Sequence, residues 1–130
     1  MPYGVTLQGI RGGGQAGGLL AVETYTGTGA SLDIATGQNL ASSALVWLKR
    51  TSSAGNHGLW DSSRGTGKAL LPNGGNAEST INGVSAFNSN GFTVGTNTTY
   101  NNTGDSYVSL SWLEESDYLD VVSYLSLIHI

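Results

Sequence analysis

Turn-forming residues recur so often along this chain that long helices have no room. Gly, Ser, Thr and Asn supply 59 of its 130 residues. Gly and Asn weaken helices, and Thr favours strands and turns. Purely apolar runs such as Leu19 to Val22 and Ala44 to Leu48 stop after four or five residues. A membrane-spanning helix needs about 20, so membrane insertion is not expected. The remaining solution is a set of short strands closed over one core. The apolar content of 38%, with three Trp, six Tyr and two Phe, supports a folded chain, and its length leaves room for one domain. A net charge of −4 with only five basic residues gives no electrostatic footprint for nucleic acid. The absence of cysteine excludes disulfides and thiolate chemistry. Met1-Pro2-Tyr3 opens no signal peptide, since no charged segment followed by an apolar one is present.

Candidate strands alternate with turn clusters. Ala21 to Tyr25 precedes Thr26-Gly27-Thr28-Gly29, and Ser31 to Ile34 is closed by Thr36-Gly37. Ala44 to Lys49 is the most apolar stretch and reads as a central strand. Gly58 to Asp61 and Lys68 to Leu71 follow, the latter stopped by Pro72-Asn73-Gly74-Gly75. Phe87 and Phe92 flank Asn88-Ser89-Asn90-Gly91, a hairpin signal because an Asn-Gly step accommodates positive φ. From Tyr107 to Trp112 the pattern alternates, with Val108, Leu110 and Trp112 on one face and Ser109 and Ser111 on the other. That pattern predicts a sheet with one wet face, the serines outside and Trp112, like Trp47, in the core. About eight short strands predict an all-β chain, an antiparallel β-sandwich of jelly-roll or lectin-like form.

An internal echo bears on the C-terminal part. Leu20-Ala21-Val22-Glu23-Thr24-Tyr25 returns 99 residues later as Leu119-Asp120-Val121-Val122-Ser123-Tyr124. Trp112 to Leu125 also fits an amphipathic helix, with Glu114, Glu115 and Asp117 early. The echo favours a strand over residues 118–124, the first of a truncated second copy. The final six residues, Leu-Ser-Leu-Ile-His-Ile, are similar to the translated end of a sequencing-library transposon. The expected organisation is a Gly-rich lead-in at 1–18, a β-sandwich module at 19–113, a linker and first strand of the next repeat at 114–124, and an appended artefact at 125–130.

Motifs of catalysis and cofactor binding fit poorly. Gly12-x-Gly14-x-x-Gly17 has the spelling of a dinucleotide loop, but no βαβ pattern or following acid accompanies it. Gly65-Thr66-Gly67-Lys68 lacks the first glycine and the terminal hydroxyl of a phosphate loop. Asp33, Asp105 and nearby Asn residues have no calcium-loop spacing. The densest functional-looking set is His57, Trp60, Asp61 and Arg64. A hydrolytic triad would need Ser62, His57 and Asp61 to converge; metal binding would need more than one imidazole or a carboxylate cluster. Asp61 and Arg64 are better suited to brace the Asp61–Gly65 turn through a charge-assisted pair. His57, Trp60, Asp61 and Arg64 stand as candidates for ligand contact, with no catalytic residue, metal or cofactor expected.

The ordered blocks Thr24 to Gly29, Leu45 to Arg50, His57 to Gly65, Phe87 to Asn97 and Gly104 to Val108 carry a family likeness. Over residues 20–124 the chain resembles a domain of unknown function repeated in tail and other virion proteins of marine and related bacteriophages. The resemblance implies β-rich architecture, a virion location, and a structural or host-adhesion role in a tail fibre or appendage. It implies neighbouring virion subunits or a cell-surface glycan as partners, with a homotrimeric parent as one expectation. A carbohydrate-binding, lectin-like module of a secreted bacterial protein is the alternative. A depolymerase is disfavoured by nine scattered acids.

Overall fold

A computed structural model describes residues 18–115, 118–122 and 124. Among them lie strands β1 Leu20–Thr26, β2 Leu32–Ala35, β3 Ala44–Arg50, β4 Gly58–Asp61, β5 Lys68–Ala69, β6 Ser79–Thr80, β7 Val84–Asn88 and β8 Gly91–Val94, then one helical turn, α1 Thr98–Asn101, and strand β9 Ser106–Leu113. Three antiparallel sheets result, in the orders β1-β9-β3-β4, β2-β8-β7 and β5-β6. The first two pack face to face as an all-β sandwich. Ala44, Val46, Leu48 and Trp60 from one meet Ile34, Val84, Phe92 and Val94 from the other.

The β7–β8 hairpin forms where expected, with Phe87 opposite Phe92 and Asn88 opposite Gly91. Gly91 carries the positive φ of 148°, and a Cβ there would sit 2.0 Å from the Ile34 carbonyl oxygen. α1 was not anticipated. Its start is set by Asn97, whose side chain accepts from the Thr99 N–H at 2.9 Å, a standard N-cap interaction.

One expectation is corrected. The alternation along β9 holds, but its faces are reversed. Tyr107, Ser109 and Ser111 are buried, while Val108, Leu110 and Trp112 are only partly covered. Residues i and i+2 share a face, so one strongly anchored residue decides for its neighbours. Tyr107 is that anchor: it stacks on Tyr25 at 5.1 Å, and its hydroxyl oxygen accepts from the Asn102 N–H at 2.8 Å. The serines follow it inward, and Ser111 meets Gln38, 1% exposed. The Ser111 hydroxyl donates to Gln38 Oε1 at 2.8 Å, and Gln38 Nε2 donates to the Ser111 carbonyl at 3.1 Å. A buried polar pair satisfied in this way is tolerated. Trp47 and Trp112 accordingly fall outside the core cluster, whose tryptophan is Trp60.

Residues 118–124 were expected as the first strand of a next repeat; among the described ones, Leu119 makes an antiparallel bridge to Glu115. In the module, β1 is paired along its whole length by β9. The expected lead-in up to residue 17 and the expected artefact at 125–130 lie outside the described residues.

Candidate functional site

The reversed faces leave an apolar surface on the side of the four-stranded sheet that points away from the core. Cross-strand register builds it in rows. Val22, Leu110, Trp47 and Leu59 stand opposite one another in one row, and Leu20, Trp112 and Leu45 in the next. Thr24, Val108 and Lys49 make a third. Leu20 and Val22 are 43% and 57% exposed and Thr24 is exposed too; the others are partly covered. Opposed side chains of this kind lie about 4.5–5.5 Å apart at Cβ, so the rows form one continuous patch. Single exposed apolar residues are ordinary, whereas a contiguous patch marks an interaction surface.

Polar groups edge this patch. His57 lies beside Trp47, with ring centroids 5.7 Å apart, and its Nδ1 accepts from Trp47 Nε1 at 3.0 Å. The His57 backbone N–H donates to Asn73 Oδ1 at 3.1 Å. The indole is thereby held at 55° to the imidazole plane.

Asp61 closes the second row opposite Leu45. It is fully buried, and its Oδ2 takes a close hydrogen bond from Arg64 Nη2. Asp61 Oδ1 accepts from the Arg64 N–H at 2.8 Å, and its carbonyl from the Gly65 N–H at 3.0 Å. Glu78 Oε1 lies 3.8 Å from Arg64 Nε. The pair braces the Asp61–Gly65 turn, and both Asp61 carboxylate oxygens are spent on Arg64. Ser62 Oγ donates to Glu114 Oε1 at 3.1 Å and accepts from the Ala44 N–H at 3.0 Å. Ser62, His57 and Asp61 are thus each engaged with a different partner.

Trp60 points the other way. It is fully buried, its Nε1 donates to the Ile81 carbonyl at 3.2 Å, and Tyr100 meets it edge-on at 4.9 Å. A Cβ on Gly83 or Gly58 would fall 2.1 or 2.3 Å from its ring. The indole lies in a slot that glycine alone leaves open, out of reach of a surface ligand. Of the four residues singled out from sequence, His57, Asp61 and Arg64 border the patch and Trp60 sits behind it. The residues missed are Trp47, Leu110 and Trp112, whose signal was the same alternation read with the wrong side inward.

Elsewhere, a hollow of about 410 Å³ lies between β2 and the β7–β8 turn, lined by Asp33, Ile34, Asn88, Asn90 and Thr93 among others. Its one carboxylate, Asp33, already accepts from the Thr93 hydroxyl at 2.7 Å. Asp105 is held below the usual carboxylate range by hydrogen bonds from Asn102 and Ser52, with Arg50 adding to them. Among the described residues no group of three His, Cys, Asp or Glu is placed to hold a metal ion.

No curated protein and no solved structure matches the chain. A family model does match, over residues 16–119, which takes in every strand of the sandwich and the whole exposed sheet face. The chain therefore belongs to the family described as Domain of unknown function (DUF7483).

Proposed function

We propose that this chain is a non-catalytic module of a bacteriophage-type virion appendage, and that it packs against a neighbouring subunit or module through the outward face of its four-stranded sheet. The observation carrying the reading is the row Val22–Leu110–Trp47–Leu59 with Trp112 and Leu45 beside it. Aliphatic side chains dominate that surface. They release water on contact with another apolar surface, and they offer no hydrogen bonds to sugar hydroxyls. The likeness to phage tail modules and the β1-like echo that begins at Leu119, where the family match ends, support a place in a tandem array. The dispersal of Ser62, His57 and Asp61 among separate partners supports a structural role over a hydrolytic one.

Glycan adhesion is the second reading, favoured by two partly exposed indoles on one face, Trp47 and Trp112. Sedimentation velocity over a concentration series separates the two. Packing predicts reversible self-association of the purified chain, abolished by Leu110→Lys. A strictly monomeric chain whose tryptophan emission responds to polysaccharide would transfer the face to glycan binding. Failure to find the parent protein in purified virions would overturn the virion assignment.

A further inference from the structure

β1 covers its edge of β9 along its whole length. The Leu113 N–H donates to the Leu19 carbonyl at 2.9 Å, and the Gly27 N–H to the Asp105 carbonyl at 2.8 Å. Odd-numbered residues of β9 therefore turn their backbone groups toward β1. The Thr51 N–H donates to the Ser106 carbonyl at 2.8 Å, so even-numbered residues turn toward β3. Two residues beyond Leu113, Glu115 exchanges both backbone hydrogen bonds with Leu119, at 3.1 and 2.9 Å. By the same parity Leu119 lies on the β1 side. At this bridge, just past the end of β9, the two segments run antiparallel. Glu114 Oε2 holds the second segment there by accepting from the Val121 N–H at 3.1 Å.

The pattern Leu119-x-Val121-x-x-Tyr124 copies Leu20-x-Val22-x-x-Tyr25. The repeated tyrosine is the informative element. In β1, Tyr25 stacks on Tyr107 and donates its hydroxyl to the Tyr100 carbonyl at 2.8 Å. In the echo the tyrosine is unemployed: Tyr124 is 86% exposed, while Leu119 and Val121 are partly covered.

We propose that the edge of β9 covered by β1 is a strand-exchange edge, and that its second occupant is the segment Leu119–Tyr124 of the same chain. A slide of about three residues from the Glu115–Leu119 bridge sets Leu119 opposite Trp112, Val121 opposite Leu110 and Tyr124 opposite Tyr107. The connecting loop is then about six residues, an ordinary length. The short connection favours the same chain over a second molecule. β1 keeps the slot at rest because the echo has Asp120 where β1 has Ala21, which is 8% exposed, and burying a carboxylate is costly. In an array of such modules, each β9 then chooses between its own first strand and the next module's. The exchange does not depend on what the outward sheet face binds.

Proline substitution in the full-length chain tests this, because proline lacks the N–H that a ladder needs. Glu23→Pro removes the bond that β1 gives at Ser109, and Val122→Pro removes its counterpart in the exchanged register. Thermal melts followed by circular dichroism should show Val122→Pro unchanged and Glu23→Pro folded at a lower melting temperature. The double variant should lose about tenfold more folded population than the two single effects multiplied. In Glu23→Pro, the Val122 amide should become protected from hydrogen exchange and the protein should stay monomeric. A Glu23→Pro chain as unfolded as the double variant overturns the proposal. So does a folded Glu23→Pro chain with an unprotected Val122 amide, or one that folds only as a dimer.

Discussion

Toward the second sheet, the four-stranded sheet presents Val46, Leu48 and Trp60 on two strands and Ser109, Ser111 and Glu23 on the other two; away from it, the same strands present Leu45, Trp47, Leu59, Leu110, Trp112 and Val22. Along β1 and β9 the outward face is the more apolar. Burial here does not follow hydrophobicity strand by strand. It follows a few side chains with specific partners, and the residues that share their face go in with them. Asn101 shows how strict such partnering is. It is fully buried, accepts from the Thr28 N–H at 2.8 Å, and donates to the Ala30 and Gly95 carbonyls at 2.7 and 2.8 Å.

The largest test of this contrast sets the inner indole against the outer ones. Trp60→Ala should cost about 3–5 kcal/mol in urea denaturation, the usual range for emptying an aromatic core site. Trp112→Ala should cost roughly 1 kcal/mol or less, since its site is already partly open. Equal losses would mean that the two faces have been assigned the wrong way round.

A sharper comparison uses adjacent residues of β9. Ser111→Val makes the interior more apolar, yet it should destabilise by about 1–3 kcal/mol because the Gln38 carbonyl oxygen loses its donor. Leu110→Ser makes the surface more polar and should cost less than about 1 kcal/mol in the same denaturation experiment. The opposite ranking would break the claim that partnering outweighs hydrophobicity on this strand.

The smallest effect at neutral pH appears only in alkali. Burial, aided by the neighbouring Tyr107 and Tyr100, raises the Tyr25 hydroxyl far above its ordinary value of 10.0, and burial pushes Tyr100 up to about 12. Both groups hold their protons more tightly folded than unfolded. Their contribution is fully present below the unfolded value and is lost as pH climbs through the folded ones. Melting temperature should thus be insensitive to these groups up to about pH 10 and fall above it. Tyr25→Phe should flatten that alkaline decline.

Much of the fold is legible in the residues. Turn clusters mark the gaps between strands, Phe87 and Phe92 mark the hairpin, and Ala44 to Lys49 marks the centre of a sheet. What periodicity leaves open is the sign of the alternation, because a period of two states which residues travel together and not which way they point. On β3 both faces are apolar, so the pattern is silent. On β9 it points outward only once Tyr107 has found Tyr25, 82 positions away in the chain. The bordering trio of His57, Asp61 and Arg64 was visible as a local cluster, whereas the patch it borders comes from strands far apart in sequence. Trp60 stood among the candidates for ligand contact because it lies in the same short stretch as His57, Asp61 and Arg64. The slot that receives it needs Gly83, which no local window contains.

The pairing of Leu20 with Trp112 sets the first rung of β1 beside the last rungs of β9. A tether drawn on the two flanks of the sandwich would therefore load this ladder from one end, opening it like a zip. Antiparallel strands peeled in that way give up their bonds one after another, and resistance stays low at each step. A fibre assembled from such units would gain tensile strength from lateral contact between them more than from any single unit's own fold.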